Sequence, residues 1–164
     1  MMNEKERDAM YEQTYDTPFG RWVIQTVNRR ITWMAPEMVE RTRFAERETT
    51  LMKVAAAQMI DYMEGNRSSI DVPVAVEGTD FQVEVYEATR VIPYAETRSY
   101  QQISAYLGRP KATQAVGRAL SNNRILLAIP CHRVIYTNGQ TGEYVGGAAL
   151  KQALLRHERA NVRV

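Results

Sequence analysis

Cysteine and histidine stand side by side in the segment Ile-Leu-Leu-Ala-Ile-Pro-Cys-His-Arg-Val-Ile, which covers residues 125–135. An apolar run leads to Pro130, the pair Cys131-His132 follows at once, and Arg133 comes next. A thiolate is the nucleophilic form of cysteine, and a neighbouring imidazole or guanidinium favours it. The segment therefore predicts a nucleophilic cysteine held in a turn at the end of a buried run.

Cys131 and His132 are neighbours in the sequence, which limits how their side chains can interact. Neighbouring side chains diverge from the backbone, so we expect a water to bridge the thiol of Cys131 and the imidazole of His132. A carboxylate is expected to orient the imidazole, and the chain after Cys131 contains two, Glu143 and Glu158. Without the surrounding Pro-Cys-His-Arg, a lone cysteine in an apolar run is usually a small buried hydrophobe.

Length and composition predict an intracellular globular protein. The 164 residues suffice for one medium domain or two small ones, and 45% hydrophobic with 24% charged residues is ordinary for a folded chain. The charged start, residues 1–8, lacks the apolar stretch of a signal peptide, and no apolar run approaches membrane-spanning length. One cysteine and two histidines allow neither an internal disulfide nor a thiolate-rich zinc site. We therefore expect a cytoplasmic protein without a metal.

Charge is unevenly distributed along the chain. Residues 1–90 carry 11 basic and 16 acidic side chains, a net charge of −5, whereas residues 91–164 carry 10 basic and 3 acidic side chains, a net charge of +7. A polyanion is therefore expected to bind the second half. Two ordinary solvated surfaces would explain the same distribution.

The first part of the chain predicts a mixed α/β structure. β-branched and aromatic residues predict strands at 22–27 and 31–34, joined by a turn at 29–30. The spacing of apolar residues predicts a helix over 48–62. The stretch 70–76 contains a proline and predicts an edge strand or an extended connector.

Three helices are predicted in the second half. Thr79 caps the first helix, and Ser99 caps the second, which covers 100–106. The third is predicted to have Pro110 near its first turn and to end at about Leu120. The last two helices form a candidate helix-turn-helix.

Small side chains recur on the third predicted helix. Ala112, Ala115 and Ala119 return at helical intervals, beside the cations Lys111 and Arg118. Small residues allow close approach to another surface and cations suit phosphates, so this face fits nucleic acid. A helix packed tightly on the protein core explains the spacing equally well.

From about Gly78 to Glu158 the sequence resembles the O6-alkylguanine-DNA alkyltransferases. The most specific match is Ile-Pro-Cys-His-Arg-Val at 129–134, together with its spacing to Gly146-Gly147 and Glu158. The other matching stretches are Gly78-Thr79-Asp80-Phe81-Gln82, Ile92-Pro93, Ser99-Tyr100-Gln101-Gln102, Pro110-Lys111-Ala112, Ala115-Val116-Gly117, Asn123, Tyr144, Lys151 and Leu154-Leu155. The N-terminal third matches only loosely.

The resemblance implies direct DNA repair by a protein that is consumed in the reaction. Cys131 would accept the alkyl group from O6-alkylguanine, His132 would take the thiol proton through a water, and Glu158 would hold His132. Asn123 would tie the DNA-binding helix to the active-site strand. Tyr100 would help to rotate the nucleotide and would protonate the leaving guanine. No cofactor is implied, because the substrate itself carries the alkyl group.

The resemblance also implies how double-stranded DNA is bound. The second helix of the motif would enter the minor groove, and the damaged base would be flipped into a pocket. Tyr144, Val145 and Gly146 would wall that pocket with backbone N–H groups near O6, and backbone carbonyls near Cys131 and Val134 would read the guanine amino group. The implied DNA- and substrate-contacting residues are Lys111, Ala112, Gln114, Ala115, Arg118, Arg133, Val134, Tyr144, Val145 and Gly146.

Two departures from the family pattern bear on binding. Gln114 stands where the family places an arginine that fills the gap left by the flipped base, and Val145 stands where serine is common. The first departure supports a second hypothesis, a damage sensor that binds O6-alkylguanine with little transfer. A cysteine hydrolase using Cys131 and His132, and a DNA-binding regulator in which Cys131 is dispensable, are further alternatives.

The resemblance implies a two-domain monomer. Residues 1–76 would form an α/β domain, ribonuclease-H-like in the family. Residues 77–164 would form a mostly helical domain with a winged-helix-like helix-turn-helix, and this domain would hold both the DNA-binding helix and Cys131.

Overall fold

The structure, a computed structural model, describes residues 9–162. The charged segment 1–8, on which the signal-peptide argument was based, lies outside these residues. The strands are β1 (Met10–Thr17), β2 (Gly20–Val27), β3 (Arg30–Pro36), β4 (Ala45–Glu46), β5 (Arg98–Ser99) and β6 (Val134–Ile135). The α-helices are α1 (Thr50–Met63), α2 (Asp80–Arg90), α3 (Tyr100–Tyr106), α4 (Thr113–Ser121) and α5 (Ala148–Asn161).

The chain forms two compact units. The first ends at Ala75 and also includes Arg124–Ala128, whereas the second contains Val76–Asn123 and the chain from Ile129 onward. The first unit therefore also contains a short segment that follows α4 in the chain. A division into the consecutive segments 1–76 and 77–164 does not include this segment in the first unit.

A mixed four-stranded sheet is the centre of the first unit. Its order is β3-β2-β1-β4, in which β1 to β3 pair antiparallel and β4 pairs parallel with β1. The strands predicted at 22–27 and 31–34 are confirmed as parts of β2 and β3. The turn between them lies one residue earlier than predicted, because Asn28 and Arg29 both have left-handed backbone conformations, with φ of 53° and 61°.

Strand β1 was not predicted, and its buried side chain explains why. The buried residue of β1 is Glu12, which is 3% exposed and accepts hydrogen bonds from Arg41, from Gln25 and from the backbone N–H of Phe44. A buried carboxylate leaves no hydrophobic alternation in the sequence, so the usual strand signal is missing. The loop that supplies its partners is what makes this strand possible.

The helix predicted over 48–62 is confirmed as α1. Thr49 caps it by accepting a hydrogen bond from the backbone N–H of Met52. The stretch predicted at 70–76 as an edge strand or connector is extended and makes a single parallel bridge, between Val74 and Ile31.

Helices α2 and α3 of the second unit begin as predicted. Thr79 and Ser99 each form a reciprocal capping box with the glutamine three residues later. The third helix, predicted with Pro110 near its first turn, is α4, which begins at Thr113, three residues after Pro110. The helix cannot start earlier because residues 107–112 are used by the turn that follows α3.

Helix α5 was not predicted, yet it carries one of the candidate site residues. Its buried face consists of Lys151, Leu154, Leu155 and Glu158. These residues are spaced i, i+3, i+4, i+7, which is the spacing of a helix face turned to the core. The charged residues at both ends of this face hid the pattern.

Candidate active site

A short 3₁₀ helix, Cys131–Arg133, holds the predicted nucleophile below the surface. Cys131 is 5% exposed. The buried side-chain amide of Asn123 donates to Sγ of Cys131 at 3.1 Å and to the carbonyl oxygen of Ile129 at 3.0 Å. Asn123 comes two residues after the end of α4, so one amide joins this end of the helix both to the thiol and to the backbone ahead of it.

His132 and Glu158 form a buried pair. Nε2 of His132 lies 2.5 Å from Oε2 of Glu158. Burial lowers the pKa of His132, although the hydrogen bond and charge of Glu158 oppose this. Burial alone would raise the pKa of Glu158, but hydrogen bonds and charges from His132 and Arg133 outweigh it and hold that pKa well below its usual range. An ionised Glu158 can only accept, so Nε2 of a neutral His132 carries the proton and Nδ1 is its basic nitrogen.

Arg133 belongs to this buried cluster and does not face outward. Its guanidinium donates from Nε to Oε1 of Glu158 at 2.9 Å, from Nη2 to Oε2 at 3.0 Å, and from Nη1 to the carbonyl oxygen of Ile92 at 2.9 Å. The residue is 6% exposed. The expectation that its side chain contacts DNA is therefore corrected: the buried carboxylate requires a cation, and Arg133 supplies it.

The backbone of Ala95 completes the ligands of Glu158. Its N–H donates to Oε1 of Glu158 at 2.9 Å, from a residue with a left-handed φ of 65°. One buried carboxylate thus accepts from an imidazole, a guanidinium and a backbone amide. Such a carboxylate is fixed in position, and it fixes the ring of His132 in turn.

A second buried cation, Lys151, lies beside Tyr100. Its Nζ donates to the carbonyl oxygen of Val134 at 2.6 Å and to the hydroxyl of Tyr100 at 3.3 Å. Burial lowers the pKa of Lys151 to about 8, although the charge of Cys131 opposes this. Burial raises the pKa of Tyr100 to about 12. Tyr100 therefore keeps its proton at neutral pH, next to a cation that can stabilise its deprotonated form.

Sequence reasoning gave Lys151 no role. The signal that could have found it is its place on the apolar face of α5, seven residues before Glu158. Lysine is seldom fully buried without a partner. Its partner here is the Val134 carbonyl, which the resemblance assigned to the guanine amino group; a carbonyl oxygen has two lone pairs and can accept a second hydrogen bond.

Tyr144, Val145 and Gly146 precede α5 and offer unused hydrogen-bonding groups. The Tyr144 hydroxyl is buried with no hydrogen-bond partner in residues 9–162. Burial raises its pKa well above the usual value, and the charges of Cys131 and Glu158 reinforce this. Within residues 9–162 the backbone N–H groups of Val145 and Gly146 donate no hydrogen bond. A bound ligand could engage all three groups.

The side chains predicted to contact DNA around α4 differ in exposure. The exposed ones are Lys111, Gln114 and Arg118. Ala112 and Ala115 are half-buried, whereas Ala119 is 2% exposed and belongs to the core. The small-residue face is therefore divided: packing explains Ala119, and only Ala112 and Ala115 remain for close approach to a partner.

The described residues contain neither a metal-binding cluster nor a membrane-spanning helix. In residues 9–162 no three or more His, Cys, Asp and Glu side chains come together as a metal site would require. No helix in that range is long and apolar enough to cross a membrane. The groups closest to metal-ligand chemistry, Cys131 and Glu158, are engaged by Asn123, His132 and Arg133.

Comparison with known proteins matches the region that builds this site. Residues 80–160 match the family model described as 6-O-methylguanine DNA methyltransferase, DNA binding domain. The constitutive methylated-DNA–protein-cysteine methyltransferase of Bacillus subtilis is 37% identical over 159 residues, which cover 91% of this chain and 95% of that protein. The chain belongs to this methyltransferase family.

Further relatives extend the likeness of this family member. The methylated-DNA–protein-cysteine methyltransferase of Methanosarcina barkeri is 45% identical over 109 residues, covering 66% of this chain and 69% of that protein. The crystal structure of Mycobacterium tuberculosis OGT in complex with DNA has a TM-score of 0.86 at 34% identity and covers 93% of this chain and 94% of that one. The methyltransferase fold, a mixed sheet followed by helices, therefore includes the loosely matching N-terminal third.

Proposed function

We propose that this member of the methyltransferase family repairs DNA by moving the alkyl group of O6-alkylguanine onto its own Cys131, once per molecule. The observation that supports the proposal is a chain of hydrogen-bonded side chains around Cys131 and His132. Asn123 donates to the thiol of Cys131, and the residue after Cys131, His132, is kept neutral by burial while the ionised Glu158 fixes its ring. This arrangement supplies a nucleophile and a base side by side.

The reaction is a displacement at the carbon attached to O6. Sγ of Cys131 forms the new bond to that carbon while the carbon–O6 bond breaks, and its electron pair stays on the guanine. The thiol proton passes through a water to Nδ1 of His132. The leaving guanine takes a proton from the hydroxyl of Tyr100, whose neighbour Lys151 stabilises the charge that remains. The products are one thioether and one guanine, with the thiol proton on His132 and Tyr100 deprotonated; transfer of that proton through solvent from His132 to Tyr100 restores both side chains.

The DNA-contacting residues are proposed around α4 and the segment before α5. A base inside a duplex must be flipped to reach Cys131. Lys111 and Arg118 are exposed cations suited to phosphates, while Ala112 and Ala115 allow entry into a minor groove. Gln114 lies exposed between them. The unused N–H groups of Val145 and Gly146 would donate to O6, and Tyr144 would wall the pocket with the backbone of Val134.

The finer fold assignments and the cellular setting belong to the same proposal. The first unit is ribonuclease-H-like, supported by three antiparallel strands with a fourth, β4, parallel to β1. The second unit is winged-helix-like, supported by the consecutive helices α3 and α4 and the short β5–β6 pair. The protein is a cytoplasmic monomer without cofactor, associated with the nucleoid in a prokaryote.

Intact-mass measurement tests the proposal. The protein is incubated with a duplex containing O6-methylguanine, and Cys131→Ser serves as the matched control. The expected result is a gain of one methyl group, mapped to Cys131 and absent from the control. Turnover of an ester or amide with no change of protein mass would instead support the hydrolase hypothesis. Methylation that persists in Cys131→Ser would show that another residue is the acceptor.

A second candidate function, a sensor of alkylated DNA, is supported by Gln114. This exposed side chain on α4 is shorter than arginine and uncharged. The sensor hypothesis predicts tight binding of the O6-methylguanine duplex with unchanged protein mass. In that case Gln114→Arg should restore transfer; if it does not, Gln114 is not the reason for the missing reaction.

A further inference from the structure

A cleft of about 410 Å³ lies between α5 and the loop ahead of it, and no step of the proposed reaction uses it. We call it the α5 cleft; the loop wall is Gly139–Gly142, and the helix wall includes Gln152, Arg156 and Arg159. Arg156 and Arg159 are exposed and three residues apart on α5. Side chains at this spacing are neighbours on a helix surface, so two guanidinium groups share one side of the cleft.

Both arginines lack a counter-charge of their own. Within residues 9–162 neither forms an ion pair, and the carboxylate between them in sequence, Glu158, is buried with His132 and Arg133. On the loop side, the hydroxyl and the backbone N–H of Thr141 make no hydrogen bond in the described chain. The α5 cleft therefore offers two planar cations and neutral donors together, which is the donor set that recognises phosphate.

One wall of the α5 cleft is also in contact with the candidate active site. Gly142 lines the cleft and has a left-handed φ of 79°. A Cβ placed on it would lie 3.0 Å from the hydroxyl oxygen of Tyr100 and 3.0 Å from Cε2 of Tyr136. Gly142 therefore belongs both to the wall of the cleft and to the immediate surroundings of Tyr100, the residue proposed to rotate the nucleotide.

We propose that the α5 cleft binds a backbone phosphate of the damaged strand, next to the flipped nucleotide, through Arg156 and Arg159. The inference rests on the proposed function, since that function brings DNA to Tyr100. Flipping rotates the nucleotide out of the stack about its backbone. Two cations beside the rotated backbone stabilise the flipped state over the stacked one. An inorganic phosphate has the same chemistry as the phosphodiester, and the experiment separates the two.

The test is the salt dependence of DNA binding. Fluorescence anisotropy measures the affinity for a duplex containing O6-methylguanine at a series of salt concentrations, with Cys131→Ser as background so that the complex does not react. The double variant Arg156→Gln/Arg159→Gln is expected to reduce the slope of log affinity against log salt by about 1, since one phosphate contact contributes about 0.9. The matched control is Arg30→Gln/Arg43→Gln, two exposed arginines of the first unit with the same charge change.

A role in helix stability alone is distinguished by the same variants. Arg159 lies in the last turn of α5, where a cation also stabilises the helix dipole. That role would lower the melting temperature without changing the salt slope. A slope equal to that of the control overturns the proposal. A second outcome also overturns it. If inorganic phosphate raises the melting temperature only when the two arginines are present, and their replacement leaves the salt dependence of DNA binding unchanged, the α5 cleft is a site for free anions.

Transfer measurements keep this inference separate from the proposed function. With Cys131 intact, the ratio of the transfer rate from the duplex to the rate from free O6-methylguanine base should fall in the double variant relative to the control, because the free base has no phosphate. If Cys131 of the wild-type protein is methylated neither by the duplex nor by the free base, the proposed function itself is contradicted. A ratio equal to that of the control contradicts only the phosphate site.

Discussion

The side-chain amide of Asn123 donates one hydrogen bond of 3.1 Å to Sγ of Cys131 and another of 3.0 Å to the carbonyl oxygen of Ile129. Asn123 comes two residues after the end of α4, which carries exposed Gln114 and Arg118. An N–H donor stabilises a thiolate more than a thiol, so the contact favours the attacking form of the nucleophile. The same amide holds the backbone that positions it.

Replacing Asn123 by alanine should impair both stability and transfer. The change leaves the buried Ile129 carbonyl without this donor and removes the donor to Sγ of Cys131, and a lost buried hydrogen-bond partner costs about 1–3 kcal/mol. Denaturant unfolding and single-turnover methyl transfer, measured on folded protein, would report the two effects. Asn122→Ala is the control, because Asn122 is exposed and its amide donates only to the Arg118 carbonyl. Equal behaviour of the two variants would contradict the role of Asn123.

Replacing Glu158 by glutamine should strongly destabilise the protein and slow transfer. The neutral side chain leaves the guanidinium of Arg133 buried without a counter-charge, which costs about 3–5 kcal/mol, and His132 loses the acceptor that sets its tautomer. Unfolding free energy and transfer rate are the measurements. Glu143→Gln is the control, since Glu143 is exposed and is the other carboxylate after Cys131. A larger loss of transfer in Glu143→Gln would assign the orienting role to Glu143.

Replacing Gly142 by alanine should slow transfer beyond any loss of stability. The new Cβ would lie 3.0 Å from the hydroxyl oxygen of Tyr100, so that ring or the loop must shift. Gly139→Ala is a close control: Gly139 also has a left-handed φ, 86°, but no atom lies within 4 Å of its Cβ position. Both variants carry about 1 kcal/mol of backbone strain. Single-turnover rates that fall equally would show that contact with Tyr100 does not matter.

Acid should remove stability that Glu12 contributes to the first unit. Burial alone would raise the pKa of Glu12, but hydrogen bonds from Arg41, Phe44 and Gln25 and the charge of Arg41 outweigh it and lower the pKa to about 2 from 4.5. Because the folded-state pKa is the lower one, this stability is present above pH 4.5 and is lost as the pH falls towards 2. The shift corresponds to about 3 kcal/mol.

Urea unfolding at pH values between 7 and 3 checks this prediction. Glu12→Gln should be less stable than the wild type at pH 7, because Arg41 then has no carboxylate partner, and its stability should fall less as the pH drops below 4.5. Glu46→Gln, at an exposed position of β4, should keep the wild-type pH dependence. If the unfolding free energy of Glu12→Gln changes with pH in parallel with that of the wild type, Glu12 is excluded as the source of the acid sensitivity.

The sequence by itself determined features whose causes lie within a few residues of each other. The capping boxes at Thr79 and Ser99 need only the glutamine three residues on, and both helices begin where these residues predict. The segment Pro-Cys-His-Arg identified Cys131 and His132 as reactive groups, because thiol and imidazole chemistry belongs to the residue types themselves. The same locality explains β2 and β3, whose apolar residues cluster along the chain.

Only the tertiary structure decided where the charged groups of the site are directed. Residue type left Glu143 and Glu158 as equal partners for His132, the resemblance implied that Arg133 contacts DNA, and neither gave Lys151 a role. In the structure the side chains of Glu158, Arg133 and Lys151 are buried against partners that lie 17 to 63 positions away in the chain. A charge can be buried only where the fold brings it a counter-charge or a hydrogen-bond partner. No local sequence pattern shows which distant residue will supply that partner. The same reason hid β1, whose buried Glu12 depends on Arg41, 29 residues later in the chain.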